Sequence, residues 1–251
     1  MNGTVLIDAD ITAYQVCSSC EEEWDWGDDF WSLVTDMKEV RRKFTEAIDT
    51  IIEVTAADRC ILAFTDQTNF RFDILDTYKS NRKKTRKPLG LRELRRFATS
   101  AYPTAQLPRL EGDDVLGILA GKLDDTFIYS ADKDMKTLPV SHWSQDERIV
   151  YDISEPIADW WWMRQTLSGD STDGYKGCPG IGPKRAADIL GEPGQRDLAE
   201  LWPRVVAAYE KAKLTEDDAI VQARVARILR HTDYDNDSGE ITLWHPTMMK
   251  S

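Results

Sequence analysis

The sequence is poor in histidine, in cysteine and in long apolar runs. Its 251 residues include three histidines, none of them in a Ser-His-Asp or Cys-His arrangement, which excludes those forms of nucleophilic catalysis. The four cysteines are too few for a disulfide framework. Cys17 and Cys20 form C-x-x-C, but without a second pair we expect two small residues at the start of a helix in a reducing compartment. No apolar run is long enough to span a membrane and no basic leader occurs, so we predict a soluble cytosolic protein.

Positive charge is scarce overall but concentrated in one place. The chain has a formal net charge of −12, which at first argues against a nucleic-acid partner. Yet the segment 79–96, called here the basic segment, contains nine lysines and arginines and one acid, Glu93. Such a segment is a plausible phosphate-contacting surface, and its alternative is a solvated loop and helix face.

Three short apolar runs are each followed by an aspartate. TVLI precedes Asp8, CILAFT leads to Asp66, and TFIYSA leads to Asp132. Apolar residues at helical spacing over 40–52 and the segment DDVLGILAGKL predict helices between these runs. A β-α-β succession gives parallel strands, whose carboxyl ends meet at one edge of the sheet. We therefore expect the three aspartates to converge there.

Further acids surround these three positions. Glu111, Asp113 and Asp114 lie at the start of the second helix, and Asp134 follows Asp132 in a D-x-D pair. Carboxylates packed together raise one another's pKa values unless cations offset the repulsion. Oxygen ligands without histidine or cysteine favour Mg²⁺ or Mn²⁺. A pair of such ions is typical of phosphodiester hydrolysis.

The glycine-rich stretch GDSTDGYKGCPGIGPKRAADIL, residues 169–190, resembles neither common nucleotide-binding motif. In a P-loop, lysine would be required where Pro183 stands, and a dinucleotide fingerprint would need a third glycine after Gly182. Pro183 and Gly191 predict the start and stop of a helix. Glycines that permit close backbone approach, followed by a helix start, predict phosphate binding.

The second half of the chain is predicted to be mainly helical. A helix begins after Ser154, and its Trp160, Trp161 and Trp162 are expected to pack the seam between the two halves. Two more helices follow, in DLAELWPRVVAAYEKA and TEDDAIVQARVARILR. DYDNDSGE lacks the glycine and glutamate of a calcium loop, so we predict a turn before a strand ITLW.

In order and spacing, these motifs resemble the bacteriophage and bacterial 5′-to-3′ exonuclease and flap endonuclease family. The resemblance is carried by I-D at Asp8, T-D at Asp66, YKSNRK from Tyr78, EGDD from Glu111, SADKD from Ser130, and the 169–190 stretch. It implies a PIN-like parallel α/β nuclease core over 1–155, with a helical arch at about 70–100. A helix-three-turn-helix subdomain with C-terminal helices would occupy 156–251. The fold class is thus α/β with a helical subdomain.

The resemblance also implies roles for individual residues. One metal position would have Asp8, Asp66, Glu111, Asp113, Asp114 and Asp132 around it, and a second would have Asp134, Asp170 and Asp173. Among the catalytic residues, Lys79 and Arg82 would contact the scissile phosphate, and Tyr78 would be the tyrosine of the same motif. We expect Asp10, by contrast, not to bind a metal directly. It would either support the metal ligands from behind or cap a helix. DNA would contact Lys83, Lys84, Arg86, Gly177, Gly180, Ile181, Gly182, Lys184 and Arg185, with K⁺ at the 177–184 hairpin.

The expected activity is metal-dependent hydrolysis at 5′ ends or flaps of duplex DNA, and of RNA primers in RNA–DNA hybrids. We expect a monomer with two Mg²⁺ or Mn²⁺ ions, in the cytosol of a bacterium or of a phage-infected host, with no membrane partner. Two alternatives stay open at this point. One is a PIN-type endoribonuclease, and the other is a structure-specific DNA-binding protein without catalysis.

Overall fold

The computed structural model describes residues 3–249, apart from the side chains of Lys83 and Lys84. A six-stranded sheet has the order β5-β4-β1-β6-β7-β8, and β2 pairs with β3 in a separate antiparallel hairpin. All neighbours in the large sheet are parallel except β7 and β8. The strands are β1 Thr4–Asp8, β2 Glu21–Asp25, β3 Trp31–Thr35, β4 Arg59–Ala63, β5 Thr104–Ala105, β6 Thr126–Tyr129, β7 Ser141–Ser144 and β8 Ile149–Asp152.

Helices connect these strands and make up most of the second half. They are α1 Ala9–Ser19, α2 Met37–Thr55, α3 Arg71–Ile74, α4 Leu91–Ala101, α5 Gly112–Lys122, α6 Glu155–Ser168, α7 Pro183–Leu190, α8 Leu198–Lys211 and α9 Glu216–Ala226. Short 3₁₀ helices span Ser80–Lys84, Lys133–Thr137, His231–Asp233 and Pro246–Met248. In the part of the chain described, no helix is long and apolar enough to cross a membrane.

The main sequence predictions for the elements are confirmed. The three apolar runs form β1, β4 and β6, and the periodic segments form α2 and α5. Pro183 is the first residue of α7, and Gly191 follows its last. The predicted arch segment 70–100 contains α3, the 3₁₀ helix Ser80–Lys84 and α4, with a non-helical stretch over 85–90.

Two local predictions were wrong. ITLW does not form a strand, because Ile241 makes a single bridge with Tyr234 and the residues around it lack further ladder partners. Cys17 and Cys20 lie at the end of α1, not at the start of a helix, and both are buried free thiols. Their apolar surroundings explain their burial without a metal.

The core lies on both faces of the sheet and in the helical half. Side chains alternate along β1, so that Val5 and Ile7 pack under α1, α2 and α4, whereas Leu6 packs on the other face with α5. A third cluster is formed mainly by α6 to α9 and includes Trp160 and Trp162, whereas Trp161 is only partly buried, so the tryptophans pack mainly within the helical half and not at a seam. The last segment returns to the sheet, where Ile228 and Leu229 pack with α5. The division at 155/156 stays a prediction.

This topology positions the site. β1, β4 and β6 run in the same direction, and Asp8 is level with Ala63 at the carboxyl end. Chain segments leaving these strands therefore emerge at one edge of the sheet, as expected for parallel α/β folds. Asp8, the start of α5 and the segment after β6 all lie at this edge.

Candidate active site

The first group of carboxylates consists of Asp8, Asp113 and Asp132. Asp8 ends β1 and caps α1, since its Oδ1 accepts a hydrogen bond from Ile11 N at 3.3 Å. Ser130 Oγ donates to Asp8 Oδ2 at 3.1 Å and accepts from Asp132 N at 3.0 Å. Asp132 in turn caps the 3₁₀ helix Lys133–Thr137. The turn after β6 is thus fixed against the end of β1.

Burial, and then the charges of neighbouring acids, raise the pKa values of Asp8 and Asp113. The pKa of Asp8 is about 6, because burial raises it and the charges of Asp10 and Asp132 add to the effect, while its hydrogen bonds oppose it. The pKa of Asp113 is raised well above its usual value by burial and then by Asp8, Glu111 and Asp132. A site in which burial and neighbouring acids disfavour the charged forms of Asp8 and Asp113 is complementary to a cation.

The second group consists of Asp134, Asp170 and Asp173. The pKa of Asp134 is about 7, because burial raises it and Asp132, Asp170 and Asp173 repel its charged form. Burial also raises the pKa of Asp173. Asp170 Oδ1 accepts from Thr172 N at 2.7 Å, and a backbone bridge joins Asp170 to Tyr175. This tight loop presents Asp170 and Asp173 toward the 3₁₀ helix that carries Asp134.

Between the two groups lie Glu111 and three residues of the YKSNRK motif. This motif, residues 78–83, is called here the arch motif. Tyr78 is buried, and its hydroxyl donates to Glu111 Oε2 at 2.7 Å and contacts Asp173 Oδ2 at 3.2 Å. Lys79 Nζ bonds to Glu111 and lies 3.6 Å from Asp173 Oδ2. Arg82 donates to Asp173 Oδ1 at 2.5 Å. The start of the basic segment is therefore docked onto the carboxylates.

The charges of this contact keep Lys79 protonated. Burial alone would lower the pKa of Lys79, but Glu111 and Asp173 together raise it above its ordinary value. The pKa of Glu111 is lowered despite its burial, because Lys79 and Arg71 lie next to it. An ammonium that is permanently charged at this position can offset negative charge on a bound phosphate.

Backbone geometry fits the two loops together at Gly174. Gly174 has φ +76°, and a Cβ there would lie 2.9 Å from Thr77 O and 3.3 Å from Lys79 N. Lys79 also has positive φ, and its N–H donates to Asp173 O at 2.7 Å. Asn81 adds hydrogen bonds to the carbonyls of Ser171 and Thr172. Glycine is required here because any side chain would separate the loops.

The structure does not place two predicted ligands with the others. Asp66 accepts from Gln106, Thr68 and the N–H of Arg109, each at 2.9 Å, and these bonds lower its pKa and hold it in the loop after β4. Asp114 is fully buried, and both its oxygens accept from Arg71 at 2.7 Å. Protein donors thus hold both acids apart from the two groups, and their assignment as metal ligands stays a prediction.

Arg71 is a functional residue that sequence reasoning missed. It is 2% exposed and donates to Asp114, to Glu111, and to the carbonyl oxygens of Val225 and Arg227. It thereby joins α5, the arch motif and the end of α9. No local pattern could reveal this, because its partners lie up to 156 residues away.

Three other supporting residues were missed or only partly assigned. Gln165 of α6 donates to Asp134 Oδ1 at 2.5 Å, and Ser130 joins Asp8 to Asp132. Asp10 accepts from Thr65 N at 2.7 Å, which agrees with the expected supporting role. The position of Ser130 within SADKD is the one sequence signal that pointed to these contacts.

The glycine-rich hairpin, residues 177–184, presents a partly unpaired backbone. Gly180 and Gly182 are exposed, and a Cβ on either would meet nothing within 4 Å. Among the described residues, no acceptor bonds to the N–H groups of Gly180, Gly182, Lys184 or Arg185. Four free donors near the start of α7 suit an anion.

Two of the residues predicted to contact DNA, Gly177 and Ile181, use their N–H groups within the protein, and their assignment stays a prediction. The N–H of Gly177 donates to Gln222 Oε1 at 2.8 Å, so it is already used. Ile181 is 8% exposed within the helical cluster, and its N–H donates to Cys178 O. Both residues shape the hairpin from beneath, and neither offers a donor to a ligand.

The rest of the basic segment is partly paired. Arg86 makes two hydrogen bonds to Glu21, at 2.6 and 2.7 Å, at the base of the β2–β3 hairpin. This contact ties the basic segment to the acidic hairpin. The side chains of Lys83 and Lys84, which were predicted to contact DNA, lie outside the described residues.

The donor set of the site suits a hard divalent ion. Six carboxylates form the two groups, and no histidine or cysteine among the described residues hydrogen-bonds to them. With the side chains as they stand, no group of three or more histidine, cysteine or acidic residues in the described part of the chain is placed to hold a metal ion. Mg²⁺ usually binds one or two carboxylates and retains several waters, so the residues fit this ion.

The raised pKa values predict how stability of the metal-free protein depends on pH. Asp8 and Asp134 bind protons more tightly in the folded than in the unfolded chain, whose aspartates titrate near pH 3.8. These two groups therefore contribute a penalty that grows as pH rises from about 4 to about 7. We expect Mg²⁺ to raise the melting temperature by several degrees at pH 8 and by much less at pH 5, measured by calorimetry. An equal shift at both pH values would contradict the pKa assignment.

Comparison with known proteins identifies the family to which this chain belongs. The family described as "5′-3′ exonuclease, N-terminal resolvase-like domain" matches residues 28–157. The exodeoxyribonuclease of Enterobacteria phage T3 is 33% identical, over 97% of this chain and 93% of its own length. The chain belongs to the 5′-3′ exonuclease family. It is a nuclease, a phosphodiester hydrolase.

Other relatives of this 5′-3′ exonuclease family agree. The exonuclease of Escherichia phage T7 is 33% identical, over 97% of this chain and 94% of its own. Among solved structures, the flap endonuclease of bacteriophage T5, in a pseudo-enzyme-product complex with DNA and metal ions, has a TM-score of 0.59. It is 16% identical, with 90% of this chain and 89% of that chain covered, so this likeness supports the fold.

Proposed function

We propose that this exonuclease family member uses two divalent ions to hydrolyse phosphodiesters at 5′ ends or flaps of duplex DNA. Its products would carry 5′-phosphates, and RNA primers paired with DNA would also be substrates. Mg²⁺ or Mn²⁺ would occupy the two carboxylate groups, and K⁺ would bind at the glycine-rich hairpin. The protein would act as a monomer. The observation that supports this proposal best is the contact of Lys79 and Arg82 with Glu111 and with Asp173 of the second group.

The first carboxylate group would hold one ion through Asp8, Asp113 and Asp132. The second would hold another through Asp134, Asp170 and Asp173, and Glu111 would face both groups. When bound, such ions act as Lewis acids and lower the pKa of water. Ser130 and Gln165 position Asp8, Asp132 and Asp134 for this task.

The arch residues would bind and orient the substrate phosphate. Lys79 is held protonated by Glu111 and Asp173, so it offers a charged donor at the boundary of the two groups. Arg82 is about half exposed and can exchange Asp173 for a phosphoryl oxygen. The hydroxyl of Tyr78 holds Glu111 in place by a hydrogen bond. This hydroxyl stays protonated, because burial raises the pKa of Tyr78 far above neutrality.

The glycine-rich hairpin would bind the duplex. Its free N–H groups and the cations Lys184 and Arg185 can contact phosphates without reading bases. The loop that carries Asp170 and Asp173 directly precedes this hairpin in the chain. The duplex contact and the cleavage centre are thus separated by a fixed distance.

Cleavage of a panel of substrates tests the proposal. End-labelled blunt duplex DNA, 5′-flap duplex, RNA–DNA hybrid and single-stranded RNA would be incubated with Mg²⁺, with EDTA as control. We expect Mg²⁺-dependent cutting at 5′ ends or flap junctions, with 5′-phosphate products. Cutting confined to single-stranded RNA would favour an endoribonuclease, and duplex binding without any cutting would favour a non-catalytic role.

The hairpin assignment makes a separate prediction. Changing Lys184 and Arg185 together to Ala should weaken duplex binding about tenfold and reduce the slope of log affinity against log salt by about two, since two phosphate contacts are lost. Fluorescence anisotropy with a labelled duplex in EDTA measures both quantities. Lys122→Ala with Arg59→Ala serves as control, because both residues are exposed near the opposite edge of the sheet. Equal slopes in the two double variants would refute the assignment.

A further inference from the structure

A row of cations connects the second carboxylate group to the glycine-rich hairpin. Lys133 Nζ lies 3.8 Å from Asp170 Oδ2, and its side chain is 75% exposed. Lys136 is also exposed and follows three residues later in the same 3₁₀ helix, Lys133–Thr137. Residues three apart eclipse in a 3₁₀ helix, so both lysines lie on one edge.

Trp161 continues this row. Lys136 Nζ and the guanidinium carbon of Arg164 each lie 5.0 Å from the centre of the indole ring. Unlike Trp160 and Trp162, Trp161 is only partly buried, and its ring meets Trp160 edge-on with centroids 5.2 Å apart. The ring is therefore a fixed platform that holds two cations at the surface by cation–π attraction.

Arg164 brings the row to the hairpin. Its Nε donates to Pro183 O at 3.4 Å, and Pro183 is the first residue of α7. Lys184 and Arg185 follow immediately and are exposed. We call the set Lys133, Lys136, Trp161 and Arg164 the cationic strip, since measured contacts join it to Asp170 at one end and to α7 at the other.

The strip lacks compensating acids. Among the described residues, no carboxylate lies within 4 Å of the charged atoms of Lys136 or Arg164, and Lys133 contacts only Asp170 of the site itself. In a chain of net charge −12, acids were available to pair with these cations. A row of cations in which Lys136 and Arg164 have no acidic partner matches a polyanion with regularly spaced charges, and a nucleic-acid duplex has one charge per about 1.7 Å.

We propose that the cationic strip binds the sugar-phosphate backbone of one strand of a duplex, between the cleavage centre and the hairpin. This inference rests on the proposed function. Lys133, Lys136 and Arg164 would contact successive phosphates, and Trp161 would keep Lys136 and Arg164 in position. The contacts would be independent of sequence, because phosphates carry no base information.

The test compares two double variants of the full chain. Lys136→Ala with Arg164→Ala, called the strip variant, removes two of the three cations of the strip. Lys122→Ala with Arg59→Ala is the matched control. The probe is a fluorescein-labelled 5′-flap DNA duplex in EDTA, titrated between 50 and 200 mM salt. We expect the strip variant to bind about tenfold more weakly, with a salt slope smaller by about two. In Mg²⁺, its KM should rise while kcat at saturation changes little.

Further measurements separate contact from packing. Arg164→Lys alone keeps the charge at this position, so its affinity for the duplex should be close to that of the unmodified chain. Thermal melting of each variant shows whether the fold is intact. Unchanged affinity and slope in the strip variant, or equal losses in the control, would overturn the inference. Equal weakening toward a single strand of the same length would also overturn it, because the proposed ligand is a duplex. If the unmodified chain cleaves no 5′ end or flap, the proposed function itself fails.

Discussion

Asp132→Asn should reduce cleavage by about a thousandfold or more while leaving duplex binding intact. Asp132 contributes to the raised pKa values of Asp8, Asp113 and Asp134, so its charge reaches both carboxylate groups. Loss of a charged ion ligand removes several kcal/mol of transition-state stabilisation. Single-turnover cleavage of a 5′-flap duplex in Mg²⁺ measures the effect.

The local fold should survive this change. Asp132 Oδ1 accepts from Asp134 N at 2.8 Å, and the amide oxygen of Asn can accept the same bond. Asp124→Asn, at an exposed site on the opposite edge, is the matched control and should retain full activity. Full activity of the Asp132 variant would refute its assignment to the ion-binding site.

Arg71→Met should destabilise the fold by about 3–5 kcal/mol. Asp114 is fully buried, and its two closest charged donors belong to Arg71. Removing one partner of a buried ion pair leaves the other charge uncompensated, which costs about that amount. Urea unfolding followed by tryptophan fluorescence measures the free energy of unfolding. The exposed Arg92→Met should change it by less than about 0.5 kcal/mol.

A second variant tests whether the buried charge is responsible. Arg71→Met combined with Asp114→Asn should be more stable than Arg71→Met alone, because the amide is neutral and its oxygen can still accept from Leu229 N. If the double variant were no more stable, the loss would come from the packing of Arg71 against Phe70 and Tyr78 instead.

Much of the fold could be predicted because local pattern and tertiary structure agree. The apolar runs of β1, β4 and β6 have the length and composition of buried strands. The backbone preferences of Pro183 and Gly191 set the start and the end of α7. ITLW failed because strand formation requires a partner strand, which its composition does not supply.

The candidate site was predictable as a set of residue types but not in its divisions. Acids after parallel strands had to meet at one edge, and the structure brings three of them, Asp8, Asp132 and Asp134, together with Asp113 of α5 and with Asp170 and Asp173 of the loop after α6. What separates Asp66 and Asp114 from these six is their distant donors, Gln106 and Arg71. Donors distant in sequence leave no mark in the motif around the acid, so the motif alone assigned all of them to metal binding.

The bonds of Arg71 also determine when the enzyme becomes complete. Every carboxylate of both groups lies before residue 174, but Arg71 and Asp114 need Val225 O, Arg227 O and Leu229 N. A nascent chain that has not passed these residues carries all these acids but lacks three of the groups that bond to Arg71 and Asp114. The buried ion pair that supports this edge of the sheet is therefore complete only when the chain has been extended to Leu229, well beyond the last of these acids.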